Sequence, residues 1–343
     1  MTDYWAGLFL VAAAGVMGGS FTVPQKFVRG WSWEKTWLLY SVVGMVLVPW
    51  LLVALYVPRP LEVYAAVPSG ALVMTALFGA GWGVGSVLFG LSVARVGTAL
   101  AFAIVVSLTA ALGALVPLAV LHPDQLTSNR AIWLLLGLGV VVVGLILCAR
   151  AGALKEAATG AESAGGKDRA SGRFSQGLIL CLLSGVTSPM FNFSLAFGQA
   201  VTGEAEKRGA SPVGASTAAL AVALSAGFVV NAGYCLFLLW RGRGRPAEGA
   251  AAGGCNTVLA LLMGLLWMFG MFAYVAATAR LGDMGPVLGW PLFMTVMVLA
   301  GNFWGAVTGE WRKVGPYAFA LLQLGNAAMV LAFVIISFGA RSA

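Results

Sequence analysis

The chain has 343 residues, of which 60% are hydrophobic and 9% charged, with a formal net charge of +8. Soluble domains carry charge on about a quarter of their residues, so this balance, with a mean hydropathy of +0.92, excludes a soluble globular protein and leaves an integral membrane protein. The excess of Lys and Arg sits in short loops between apolar runs. It therefore reads as membrane orientation rather than a nucleic-acid surface, and no nucleic-acid partner is expected.

A hydrocarbon core about 30 Å thick needs about 20 residues of apolar helix, and ten runs reach that length. The first, at about 5 to 28, contains "GVMGGSF" and ends in "VPQK", which places Gln25 and Lys26 at its inner end. The second spans about 36 to 57, and Glu34 in "WSWEK" precedes it. The third, at 67 to 94, contains "GWGVGSVLFG": Trp82, Ser86, Phe89 and Val93 share one helical face, and Gly79, Gly83 and Gly90 fall near another stripe. Small residues there let helix backbones approach closely in lipid, either to tighten a static bundle or to let it rock.

The fourth and fifth runs cover about 97 to 121 and 131 to 149, separated by "LHPDQ", where His122 reads as a turn residue. The stretch 151–173 has the small, polar composition of a flexible cytoplasmic linker, although its "RAGALKE" start is placed to cap the fifth run. The sixth run, 174 to 200, places Ser188, Asn192 and Gln199 at i, i+4 and i+11 on one polar stripe. Runs seven to ten follow at 213 to 240, 255 to 279, 284 to 308 and 315 to 338. The eighth carries Trp267, Met271, Tyr274 and Thr278, and the ninth carries Trp290 and Asn302 before Glu310 in "GEWRK".

The two halves echo one another. Placing Trp82 on Trp267 brings Gly85 onto Gly270, Arg95 onto Arg280 and Gly97 onto Gly282, at a shared offset of 185; "GVMGGSF" at 15–21 echoes "GVTSPMF" at 185–191. Each half contains five runs, an odd number, so the second copy enters the bilayer from the opposite side. The expected fold is an all-α polytopic membrane protein of ten transmembrane helices in two inverted five-helix repeats, 1–150 and 174–343. Alternate loops hold fourteen of the twenty basic residues, which puts both termini on the periplasmic or extracellular side. No basic stretch precedes the first run, so a cleaved signal peptide is not expected.

Inverted repeats suit alternating access, since the two copies exchange roles between outward-open and inward-open arrangements. Every Asp and Glu lies in a loop or at the end of a run, which disfavours a fixed cationic ligand. Amides with indole and phenol rings suit a neutral polyhydroxylated one. The candidate substrate contacts are Gln25, Trp82, Asn192, Gln199, Trp267, Tyr274, Trp290 and Asn302. For each amide, bonding between helices stands beside ligand contact as a reading. Lys26, Glu34 and Glu310 are the candidate gate or coupling groups: a salt-bridged inner gate and a proton carrier both fit the acids, and a snorkelling lysine or an anion contact fits Lys26. Four cysteines show no metal-ligand spacing, no cofactor or metal is expected, and no ATP motif or catalytic constellation points to an enzyme.

"VPQKFVRGWSWEKTW", "PW" at 49–50, "FGAGWGVGSVLFGL" at 78–91, "RAGALKE" at 150–156 and "GEW" at 309–311 together resemble the L-rhamnose/proton symporter family of the drug/metabolite transporter superfamily. The resemblance covers nearly the whole chain. It implies ten helices in two inverted repeats, a central site, a bacterial inner (plasma) membrane setting, and uptake of a deoxy-sugar with protons or another coupling cation. Another sugar or small metabolite, a facilitator, an exporter and an integral membrane enzyme are the alternatives.

Overall fold

The computed structural model of the protein describes residues 2–158, 172–242, 254–312 and 314–341. Among these residues all regular structure is helical, and ten helical segments are long and apolar enough to cross a membrane. We call them span 1 (Asp3–Phe27), span 2 (Trp33–Tyr56), span 3 (Ser69–Val96), span 4 (Thr98–Leu121), span 5 (Asn129–Ala158), span 6 (Phe174–Lys207), span 7 (Pro212–Trp240), span 8 (Gly254–Arg280), span 9 (Gly285–Val307) and span 10 (Pro316–Gly339). The chain is an integral multi-pass membrane protein. Helices suit this setting because each satisfies its own backbone polar groups where water is absent.

The spans form two compact units, Met1–Val84 with Met190–Asp283 and Gly85–Pro189 with Met284–Ala343. Neither unit coincides with a half of the sequence. In unit 1, span 1 packs along span 8, and span 7 packs against spans 2 and 8. A short connecting helix, Pro60–Ala66, lies against Gln199–Lys207. The core between them is built from small or β-branched side chains, among them Val53, Val63, Val201, Ala205, Ala215 and Ala218. Backbones held close by small residues replace the hydrophobic drive that lipid does not supply. In unit 2, span 5 packs along span 10, and span 4 contacts span 5, span 9 and the helix Gly172–Thr187.

The repeated W-x2-G-x9-R-x-G pattern has the same local structure in both copies. Arg95 donates to the Leu91 carbonyl at 3.0 Å and Arg280 to the Ala276 carbonyl at 3.0 Å, so each arginine caps the last turn of its helix. Gly97 (φ 87°) and Gly282 (φ 78°) then turn the chain through the left-handed region that a side chain disfavours.

Contacts between spans recur in the same crossed fashion. A Cβ on Gly7 of span 1 would meet Leu281 at 3.1 Å and Arg280 at 3.4 Å; one on Gly177 of span 6 would meet Val96 at 2.5 Å and Arg95 at 2.8 Å. One on Gly270 would lie 3.2 Å from Met17 and 3.4 Å from the Gly18 nitrogen, and one on Gly85 would lie 2.8 Å from Thr187 and from the Ser188 nitrogen.

The structure alters several expectations. The helix of span 5 runs on through Ala158, so the first residues of the expected flexible linker are ordered: "ALKEAA" is made of strong helix formers. The rest of that linker, 159–171, lies outside the described residues, as do Lys167, Arg169, Arg243, Arg245 and Lys313. Span 2 is not a uniform α-helix. It widens into a π turn at Val43–Leu47 just before Pro49, whose missing N–H and bulky ring disturb the preceding turn. The glycines of span 3 do not form one functional stripe, since a Cβ at Gly79 or Gly83 would strike span 7 whereas one at Gly90 would meet nothing within 4 Å.

Candidate functional site

Two spans are interrupted, at the places where the halves echo one another. In span 1 the α-helix ends at Ser20, after Gly18 and Gly19, and resumes as the 3-10 turn Val23–Phe27 with Pro24 near its start. In span 6 the helix ends at Thr187, turns at Ser188 and Pro189, restarts as Met190–Phe197, and restarts again at Gln199 after Gly198. Proline removes a donor and disfavours helix in the residue before it, which explains the break at Ser188–Pro189. The break also dissolves the straight polar stripe expected on span 6. Asn192 is buried, while Gln199 begins a separate helix and is exposed.

A phenylalanine lies at each break, Phe21 in the turn after Ser20 and Phe191 in the first turn of the restarted helix, and each packs at a tilt against a tryptophan of the other half of the sequence. Phe21 lies 5.0 Å from Trp267 at an interplanar angle of 54°, and Phe191 lies 5.3 Å from Trp82 at 54°. The two indoles stack on each other at 5.8 Å and 6°. Ring contacts with centroids at these distances are favourable beyond the area they bury. Glycines make room for the rings. A Cβ on Gly44 would lie 2.9 Å from the Gly264 oxygen and 3.3 Å from the Trp267 ring, and one on Gly227 would lie 3.1 Å from the Gly79 oxygen and 2.8 Å from the Trp82 ring. Tyr40, Trp37 and Trp33 extend the aromatic run from Phe21. Glu34 follows Trp33 in the first turn of a helix whose N-cap, Ser32, accepts from the Lys35 N–H.

Polar groups of unit 1 fall into two sets. The Tyr274 hydroxyl donates to Asn192 Oδ1 at 2.6 Å, with both residues buried, and Asn231 donates weakly to the Met45 sulfur at 3.8 Å. Gln25 Oε1 and Trp267 Nε1 are buried without a hydrogen-bond partner. Lys26, beside Gln25, is exposed.

Trp290, Asn302 and Glu310 belong to unit 2. Trp290 Nε1 donates to the Thr109 carbonyl at 2.9 Å, and its indole sits where a Cβ on Gly113 would be. Asn302 donates to Asn326 at 2.7 Å and to the Cys148 sulfur at 3.4 Å. Both therefore join helices within unit 2. Glu310 pairs with Lys155 at 2.7 Å, and the lysine lies 5.1 Å over the Trp311 ring. "RAGALKE" and "GEW" thus meet as one half-exposed ion pair.

Of the eight candidate substrate contacts, the structure gathers Trp82, Trp267, Asn192 and Tyr274 in unit 1, with Gln25 on the turn packed against span 8. Phe21, Tyr40 and Phe191 were not singled out from sequence, and neither were Gly44 and Gly227. The echo of "GVMGGSF" in "GVTSPMF" carried the signal, since each ends in the phenylalanine that packs on an indole.

Comparison with known proteins supplies the relationship. Two relatives from Escherichia coli, strains O1:K1 / APEC and SMS-3-5 / SECEC, are both named L-rhamnose-proton symporter. Each is 27% identical to this chain over 340 residues, covering 97% of both sequences. A family model described as L-rhamnose-proton symport protein (RhaT) matches residues 4–342, and on that full-length match the chain belongs to the L-rhamnose-proton symport family of transporters.

Proposed function

We propose that this protein takes up a neutral deoxy-sugar, L-rhamnose in the first instance, together with protons, by alternating access of two inverted five-span repeats in a bacterial inner membrane, with both termini outside. The observation that carries the reading is the stacked Trp82–Trp267 pair, flanked by Phe21 and Phe191 at the breaks of spans 1 and 6. Interrupted helices in corresponding positions of two halves are the usual backbone of a transporter's binding site, and aromatic faces cover the C–H side of a sugar ring. The crossed recurrence of Gly7 with Gly177, Gly270 with Gly85 and Gly44 with Gly227 supports the repeat. The relatives' name supports the substrate and the coupling ion.

Coupling in this reading falls to Glu34 or Glu310, because no Asp or Glu among the described residues is buried. That same observation favours a second reading, a facilitator for a neutral sugar, in which these acids only gate. Uptake of labelled L-rhamnose into proteoliposomes under an imposed inward proton gradient separates the two. Symport gives transient accumulation above the external concentration. Uptake that stops at equilibration selects the facilitator, and no uptake of any neutral sugar rejects both.

A further inference from the structure

Among the described residues of unit 1, two buried side-chain polar atoms have no partner, Nε1 of Trp267 and Oε1 of Gln25. Trp267 is only 9% exposed. The 3-10 turn bearing Gln25 packs against span 8, which bears Trp267, and Phe21, just upstream of that turn, lies on the indole itself. The other candidates are already engaged, Tyr274 with Asn192 in this unit and Trp290 and Asn302 with helices of unit 2. Leaving a buried donor or acceptor unmade is unfavourable, and such vacancies in native folds call for a function or a bound molecule.

The chemistry of the two vacancies selects what fills them. An indole N–H only donates and an amide oxygen only accepts. A carboxylate would satisfy the first and be repelled by the second, and an ammonium group would do the reverse. Hydroxyl groups both accept and donate, so that one type of group suits both atoms. The internal duplicate of Trp267, Trp82, lies against Phe191, and a Cβ on the adjacent Gly81 would collide with Met190. Both unpartnered atoms therefore belong to the Trp267 side of the aromatic group, and the Trp82–Phe191 pair contributes ring faces.

Resting on the transport reading above, we infer that Trp267 Nε1–H and Gln25 Oε1 are the hydroxyl-recognising groups of the site, and that the Trp82–Phe191 face takes the C–H or methyl side of the same neutral polyhydroxylated ligand. A site built around a substrate hydroxyl discriminates strongly against the analogue lacking it, because its own groups are then left unpaired.

The test is equilibrium binding of L-rhamnose and its monodeoxy and O-methyl derivatives to the purified full-length protein, wild type and variants. Trp267→Phe keeps the ring stack and removes the N–H; Gln25→Leu, on a turn at the end of span 1, removes the acceptor; Trp240→Phe, at an indole 83% exposed, is the control. Wild type should lose about 10-fold in affinity for the derivative missing one particular hydroxyl. Trp267→Phe and Gln25→Leu should each bind L-rhamnose about 10-fold more weakly and no longer distinguish that derivative. Wild-type affinity and discrimination in both variants would assign the two atoms to water and overturn the inference while leaving the transport reading intact. Failure of wild type to bind any neutral sugar overturns both.

Discussion

Replacing Gly79 by alanine should separate spans 3 and 7, whereas the same change at Gly90, in the same helix, should stabilise the protein. A Cβ at Gly79 would lie 2.2 Å from the Ala223 oxygen and 2.7 Å from its Cα, both backbone atoms that no rotamer change moves. Reaching an ordinary contact of 3.4 Å requires the helices to part by about 1.2 Å, which would loosen the neighbouring Gly227 contact with Trp82 as well. Overpacking of this kind costs about 1–3 kcal/mol. At Gly90 a Cβ would meet nothing within 4 Å, so only the helix preference for alanine acts, worth about 0.5–1 kcal/mol in the opposite direction. Thermal melting of the detergent-solubilised variants reads the difference, at roughly 2–4 °C per kcal/mol for a chain of moderate size. Unchanged melting of Gly79→Ala, or a fall in Gly90→Ala that matches it, would refute the packing argument.

Other expectations follow from single contacts. Tyr274→Phe removes the hydroxyl that bonds Asn192 and should destabilise by about 1–3 kcal/mol, with much of the loss recovered when Asn192→Leu is added; additive effects in the double mutant would deny the bond. Asn302→Leu strands the Asn326 amide, so the melting point should fall while L-rhamnose affinity stays at the wild-type value, and a lost affinity would return Asn302 to the binding site. Lys155→Met and Glu310→Gln break a half-exposed pair, so each should change stability by less than about 1 kcal/mol. If the pair is a gate, both variants alter sugar exchange alike and keep gradient-driven accumulation. Loss of accumulation in Glu310→Gln alone would identify that carboxylate as the proton carrier.

The membrane class and the ten spans were legible because apolar length is a composition signal that needs no knowledge of tertiary structure. Trp82 and Trp267 were legible as a pair because an identical motif marked both, and the two indoles stack. The lower part of each face was not: Phe89 packs with Val96 and Ala101 in unit 2, whereas Tyr274 bonds Asn192 in unit 1. Helical periodicity says which residues share a side and nothing about which neighbour that side meets. The inter-helix bonds of Trp290 and Asn302 were not legible for the same reason, since an amide or indole in a span looks alike whether it binds a ligand or bridges two helices. The straight stripe drawn through Gln199 was lost on a different ground. The period assumed an unbroken helix, and Pro189 and Gly198 break it.

Each compact unit draws on both halves of the chain, and that fixes the order in which the protein can be completed during synthesis. Span 3 enters the bilayer well before the ribosome has made Ala223 and Gly227, so the groove at Gly79 and Gly83 has nothing to close on until span 7 is inserted. The nascent first half must wait in lipid with its glycine seams open, and a chain severed between residues 158 and 172 would regain its packing only when both fragments share one membrane.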